Sequence, residues 1–262
     1  MKCSMSSSEA AANHIRVLSA SMPEVASSGH PGGPMGCADF MTILYGEFLR
    51  FDPENASWFN RDRLFFDPGH MSPLLYATLA QIGHFTPEDL KQFRQWGSVT
   101  PGHPELDVSR GIENTSGPLG QGHTNGVGAA IAEAFLHDRF PSHVNHNTFM
   151  VISDGGVQEE ISQGAGRIAG TLGLGKIVMF YDANDIQLST EVSAATSENT
   201  AKKYEAWNWH VITIDGNNHQ EIRKALKTAI AETDKPSLII GKTDMGKGAV
   251  TDSGDSIEHK VS

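Results

Sequence analysis

Thr148-Phe149-Met150-Val151-Ile152-Ser153, followed at once by Asp154-Gly155-Gly156, decides how this chain folds. The run is unbroken, apolar, rich in strand-forming residues and closed by a turn pair, so it predicts a strand buried on both faces. The same alternation extends outward from it. A helix over 122–138 leads in, and a helix over 159–172, a strand over 176–181 and a helix over 198–206 follow. A strand over 210–215, a helix over 219–232 and a strand over 237–241 complete the series. Continuous apolar strands alternating with amphipathic helices predict a doubly wound α/β fold, a mainly parallel sheet with helices on both faces. Right-handed crossovers follow from strand twist.

The first third reads as mostly helical and packs on this sheet. Ala10, Ile15, Leu18, Met22 and Val25 mark a helix over 6–28 that Gly29 closes, and Phe40, Met41, Leu44 and Phe48 mark one over 37–49. A turn-rich stretch (51–60) precedes a short buried strand, Arg63–Phe66, and helices are predicted over 72–82 and 87–96. Residues 97–122 are rich in Gly, Pro and polar side chains, and a loop of that length inside a compact domain is usually functional. The chain reads as a single domain over 1–262, with 242–262 polar and expected to form a flexible C-terminal tail.

With 262 residues and 39% apolar content the chain can bury a substantial core. Its 20 Lys+Arg against 31 Asp+Glu give a net charge of −11, with no basic stripe, which argues against nucleic acid or anionic lipid as a partner. No run of about 18 apolar residues exists, so no membrane span is expected and the reading is soluble and cytoplasmic. Cys3 and Cys37 make neither a disulfide framework nor a metal motif.

In an open parallel sheet, ligands sit beyond the C-terminal strand ends. Asp154 follows one strand, and Asn184 follows the next within the run Tyr181-Asp182-Ala183-Asn184-Asp185-Ile186. A carboxylate, an amide oxygen and a backbone carbonyl form a hard oxygen site suited to Mg²⁺ when phosphate oxygens complete its shell. Gly155 and Gly156 let a diphosphate approach the main chain. The competing reading of Asp154 is a carboxylate capping its own helix. Thr115-Ser116-Gly117-Pro118-Leu119-Gly120-Gln121-Gly122 opens a helix with a rigid concavity, fit for a phosphate or a flat cofactor ring, or is simply a Gly-rich helix start. His30, His70, His103 and His123 flank Gly or Pro, and imidazoles on stiff loops suit proton transfer and hydroxyl or phosphate recognition. His14, His84, His137, His143, His146, His210 and His219 read as structural, and the spacings do not resemble a zinc motif.

Together these segments resemble the N-terminal, diphosphate-binding domain of transketolase. GHPGGPMG (29–36), PGH (68–70), TPGHPE (100–105), TSGPLGQG (115–122), SDGGVQEEIS (153–162), YDANDIQLST (181–190), NWHVITIDG (208–216) and KTDMGKG (242–248) occur in the family's order. The resemblance implies thiamin diphosphate held through a divalent ion, Mg²⁺ or else Ca²⁺ or Mn²⁺. Asp154, Asn184 and the Ile186 carbonyl would ligate it, His70, Gly155 and Asn184 would contact the cofactor, and Gly117, Pro118 and Leu119 would lie against its rings. His30 and His103 would face the sugar hydroxyls and the reacting carbon. Glu159 matches an acidic residue at the family's subunit contact, linked to proton relay. The implied reaction moves a two-carbon ketol unit between sugar phosphates, in the pentose phosphate pathway.

Ser153, Asp67-Pro68, Met71-Ser72-Pro73 and Ser189-Thr190 depart from the family pattern, and His259 falls near a further family loop. The family's pyrimidine-binding domain has no counterpart here. The resemblance therefore implies one half of a split enzyme or a truncated part of a longer one, in a homodimer or a heterotetramer with a pyrimidine-binding subunit, silent or very weak on its own. The alternatives are a subunit of another thiamin-diphosphate enzyme, similar to the α subunit of a 2-oxo-acid dehydrogenase E1, or a non-catalytic Mg²⁺/diphosphate-binding module.

Overall fold

The computed structural model describes residues 6–187 and 190–258. Cys3, Ser189 and His259 lie outside the described residues. The helices are α1 (Ser7–Ala26), α2 (Gly32–Gly36), α3 (Ala38–Ile43), α4 (Ser72–Gln81), α5 (Pro87–Lys91), α6 (Gln121–Arg139), α7 (Asp154–Gln158), α8 (Glu160–Thr171), α9 (Val192–Ala195), α10 (Thr200–Ala206) and α11 (His219–Ala231). The strands are β1 (Arg63–Phe66), β2 (Thr148–Ser153), β3 (Ile177–Ala183), β4 (Ile186–Gln187), β5 (Thr190–Glu191), β6 (His210–Asp215) and β7 (Ser237–Lys242).

Five strands form one parallel sheet in the order β1-β2-β3-β7-β6, and β4 and β5 make a small antiparallel pair beside it. Side chains alternate across the sheet, as the strand period of two requires. Phe66, Phe149, Val151, Val178, Phe180 and Ile239 pack into a core with residues of α1, α3, α4 and α11. Phe65, Met150, Ile152, Met179, Leu238 and Ile240 point the other way, into a core with α6, α8 and α10. Both faces are therefore covered, and the N-terminal helices supply much of the first layer. Phe40 of α3 stacks on Phe180 of β3 at 3.8 Å between ring centroids. Gly241 makes room for that ring, since a Cβ there would fall 2.3 Å from Phe180.

The five sheet strands lie where the apolar runs predict them. β3 continues two residues past its expected end, because Asp182 and Ala183 pair with Gly241 and Lys242. The predicted helix over 37–49 is broken into α3 and a π-helical turn over Leu44–Phe48, closed by the Leu49 N–H on the Leu44 carbonyl at 2.8 Å. The helix predicted over 87–96 stops at Lys91. Arg94 adopts a left-handed φ of 61° and turns its N–H to the Thr100 carbonyl at 3.0 Å. Ser27, not Gly29, takes the left-handed position that ends α1, with φ 49°.

The stretch after β7 departs from the expected flexible tail over 242–248. Lys242 belongs to β7, and Thr243 and Met245 are buried. The Gly246 N–H bonds the Gly32 carbonyl at 2.9 Å, and Lys247 Nζ reaches Asp39 at 2.9 Å. Backbone and buried polar partners hold a segment whose composition reads as loose.

Candidate functional site

The C-terminal ends of β1, β2 and β3 are adjacent, since β1 pairs with β2 and β2 with β3. That register brings Asp67 to His70, Asp154 with Gly155, and Asn184 with Ile186 to one sheet edge. Asp154 is buried. Its Oδ1 accepts the Tyr181 hydroxyl, and its Oδ2 has no hydrogen-bond partner among the described residues. The carboxyl therefore caps no helix, which removes the competing reading of this residue. Burial first, then the nearby Asp182 and Asp185 charges, push its pKa up to about 7. Beside it, Asn184 accepts the Ile186 N–H through Oδ1 at 3.0 Å and donates through Nδ2 to Asp182 at 2.8 Å.

A buried carboxylate oxygen without a donor fits a divalent cation, because burial of an uncompensated charge is otherwise costly. Among the described residues, no cluster of three or more His, Cys, Asp or Glu could hold an ion unaided. An ion here would need the Asn184 amide, main-chain oxygen and the ligand's own oxygens, which is how Mg²⁺ is commonly bound alongside phosphates. Ser153 adds a second buried oxygen without a partner just before Asp154.

Three of the predicted histidines converge. The His30 and His70 rings meet edge to face at 5.5 Å. A Cβ on Gly69 would fall 2.7 Å from the Gly117 nitrogen and 2.9 Å from His103 Cδ2, so the Gly69 turn, Gly117 and His103 are in contact. A Cβ on Gly155 would fall 2.9 Å from Leu119 Cδ1, which places the Gly117–Leu119 turn over the start of α7. Burial, followed by His30 and His103, pulls His70 down to about 4. Partial desolvation and then the Arg94 charge also lower His30 and His103, and His103 adds to the effect at His30. His70 is therefore neutral at pH 7, and the shifts at His30 and His103 favour the same neutral form, which both accepts and donates a hydrogen bond. Glu159 stands apart from them, exposed at the start of α8, with its Cβ 3.0 Å from the position a Cβ on Gly120 would take.

A cavity of about 630 Å³ opens on the β6 side of this edge, lined by Gln158, Tyr181, Asp185, Thr213 and Lys242 among others. None of the predicted site residues lines it.

Residues 7–261 match the family described as "Transketolase, thiamine diphosphate binding domain". The chain belongs to that family. It is 49% identical over 244 residues to "Transketolase 1" of Pasteurella multocida, which covers 91% of this chain and 36% of the relative. Transketolase from Leishmania mexicana superposes with a TM-score of 0.91 at 42% identity, covering 94% of this chain and 38% of that one. A Pichia stipitis transketolase solved in complex with sedoheptulose-7-phosphate gives 0.88 at 35% identity, over 93% of this chain and 37% of that one. The chain thus spans a little over a third of the length of these relatives.

Two residues of this transketolase domain escape a reading of its motifs. Arg94 donates to Ser28 Oγ at 2.7 Å and acts electrostatically on both His30 and His103. Its only signal is an arginine at a premature helix stop. Asp67 is buried at the start of α6, where its Oδ2 accepts the His123 N–H at 3.2 Å and the Gly120 and Gly122 amides also bond it. Burial, the leading influence, nevertheless raises its pKa to about 6. A carboxyl already occupies the amides at the α6 N-terminus. Of the two ligands considered for the TSGPLGQG turn, a flat ring therefore fits better than a phosphate.

Proposed function

We propose that this chain is the diphosphate-binding part of a transketolase that transfers a two-carbon ketol unit from a ketose phosphate to an aldose phosphate. The observation that carries the reading is the buried Oδ2 of Asp154, without a partner among the described residues, beside the Asn184 amide and on the same edge as three converging imidazoles. Asp154, Asn184 and the Ile186 carbonyl would hold Mg²⁺ or a similar divalent ion. His70 and Gly155 would bind the diphosphate, and Gly117, Pro118 and Leu119 would seat the rings. When bound, thiamin diphosphate supplies the stabilised carbanion that the protein's own groups lack. His30 and His103 would orient the sugar hydroxyls and carry protons to and from them.

Thiamin diphosphate is the cofactor of the family this chain belongs to. Sugar phosphates are proposed because a related transketolase was solved with sedoheptulose-7-phosphate. A pyrimidine-binding domain, from the same polypeptide or another subunit, would complete the site, with Glu159 on the exposed side facing a neighbouring subunit. No helix among the described residues is long and apolar enough to cross a membrane. The test is ketol transfer from xylulose 5-phosphate to ribose 5-phosphate by the chain mixed with a pyrimidine-binding domain. Mg²⁺-dependent turnover in the mixture, absent from either part alone, is expected. Turnover by this chain alone, or transfer from pyruvate in place of the ketose phosphate, overturns the reading.

A further inference from the structure

Asp182 is a fully buried carboxyl two residues before Asn184, and the proposed chemistry makes no use of it. Its Oδ2 accepts the Asn184 Nδ2–H at 2.8 Å, its Oδ1 accepts the Thr243 hydroxyl, and the Cys37 thiol also donates to it. Three donors from separate chain segments thus converge on one acceptor-only group. An amide can present either its oxygen or its NH₂ to a neighbour. A carboxylate accepts only the NH₂ end, and the Ile186 N–H needs the oxygen end. Asp182 therefore sets which end of Asn184 remains to face a cation.

Thr243 is itself held from outside the site. The next residue, Asp244, donates its N–H to Asn217 Oδ1 at 2.8 Å, and Asn217 Nδ2 donates to Asp39 Oδ2 at 2.9 Å. Buried Asp39 also binds Arg16 at 2.8 Å, His219 at 2.9 Å and Lys247 at 2.9 Å. A network spanning α1, α3 and α11 thus clamps the 243–248 segment whose first hydroxyl reaches Asp182.

We propose that Thr243 and Asp182 are positioning residues for the divalent ion: Thr243 orients the Asp182 carboxyl, which orients the Asn184 amide with its oxygen toward the ion. The inference rests on the ion site proposed above. Partners of metal ligands of this kind typically change affinity about 10–100-fold when removed. The test is Mn²⁺ titration of the chain mixed with a pyrimidine-binding domain and thiamin diphosphate, read by water-proton relaxation, which reports the slowly tumbling bound ion. Asp154→Asn serves as the blank.

Thr243→Val and Asp182→Asn should each weaken Mn²⁺ binding at least about tenfold, and Thr243→Ser should restore it. Measurement at a temperature where circular dichroism shows each variant folded separates positioning from mere support, which would lower the melting temperature and leave ion affinity unchanged. Unchanged affinity in folded Thr243→Val and Asp182→Asn overturns the inference while the ion site stands. A wild-type chain indistinguishable from the Asp154→Asn blank overturns the ion site and the inference with it.

Discussion

The Tyr181 hydroxyl donates to Oδ1 of Asp154 and leaves Oδ2 of the same carboxyl buried, without a partner among the described residues. Above pH 7, where this carboxyl is ionised, the ion-free chain therefore carries an uncompensated buried charge. Asp154→Asn should stabilise the ion-free protein by about 1–3 kcal/mol at pH 8, seen as a higher urea midpoint with an unchanged m-value. The same variant should gain nothing from added Mg²⁺ and thiamin diphosphate.

His123 makes a separate prediction about acid stability. Its Nδ1 pairs with Ser162 Oγ at 2.7 Å, its Nε2 has no partner, and burial holds its pKa at about 4 against an ordinary 6.5. Between those values the unfolded chain binds a proton that the folded chain refuses. This contribution to stability is full above pH 6.5 and is lost as pH falls toward 4. His123→Gln should flatten the acid limb, by at most about 3 kcal/mol between pH 7 and pH 4, in urea denaturation across that range. Asp67, whose pKa is raised to about 6, opposes the trend in both proteins, so the difference between them isolates the imidazole.

Gly122 sits where β1 gives way to the site. A Cβ there would fall 2.5 Å from Asp67 Cα, which is backbone and cannot step aside. Gly122→Ala should cost about 1–3 kcal/mol in chemical denaturation. It should also disturb the Asp67 contact with the α6 amides, visible as faster amide exchange at Gly122 and His123.

The strands and the sheet edge that carries Asp154 and Asn184 were legible in the sequence because both are local signals. An unbroken apolar run predicts a buried strand, and Asp154 and Asn184 stand directly at the ends of two of them. The supports were not legible because their partners lie far away in sequence. Asp67 and His123 are separated by 56 residues, and Asp182 and Thr243 by 61. Asp67 stands out in the sequence only as a departure in the turn before His70, and the fold is needed to place α6 above it. Likewise Asp154-Gly155-Gly156 reads as a turn, although it begins the five-residue α7. The 243–248 segment reads as loose because its anchors, Asp39 and Asn217, belong to other elements.

His30 and His103 carry the proposed proton and hydroxyl roles, yet His30 is only half-buried and His103 is exposed. His30→Ala and His103→Ala should each leave stability within about 0.5 kcal/mol. Each should lower ketol transfer by the completed enzyme about 100-fold or more, in a steady-state coupled assay.

The most direct measurement is a calorimetric titration of thiamin diphosphate into the chain mixed with a pyrimidine-binding domain, with Mg²⁺ and again with EDTA. The account predicts saturable binding that needs Mg²⁺ and disappears in Asp154→Asn. Binding of equal strength in EDTA, or binding that survives Asp154→Asn, would contradict it.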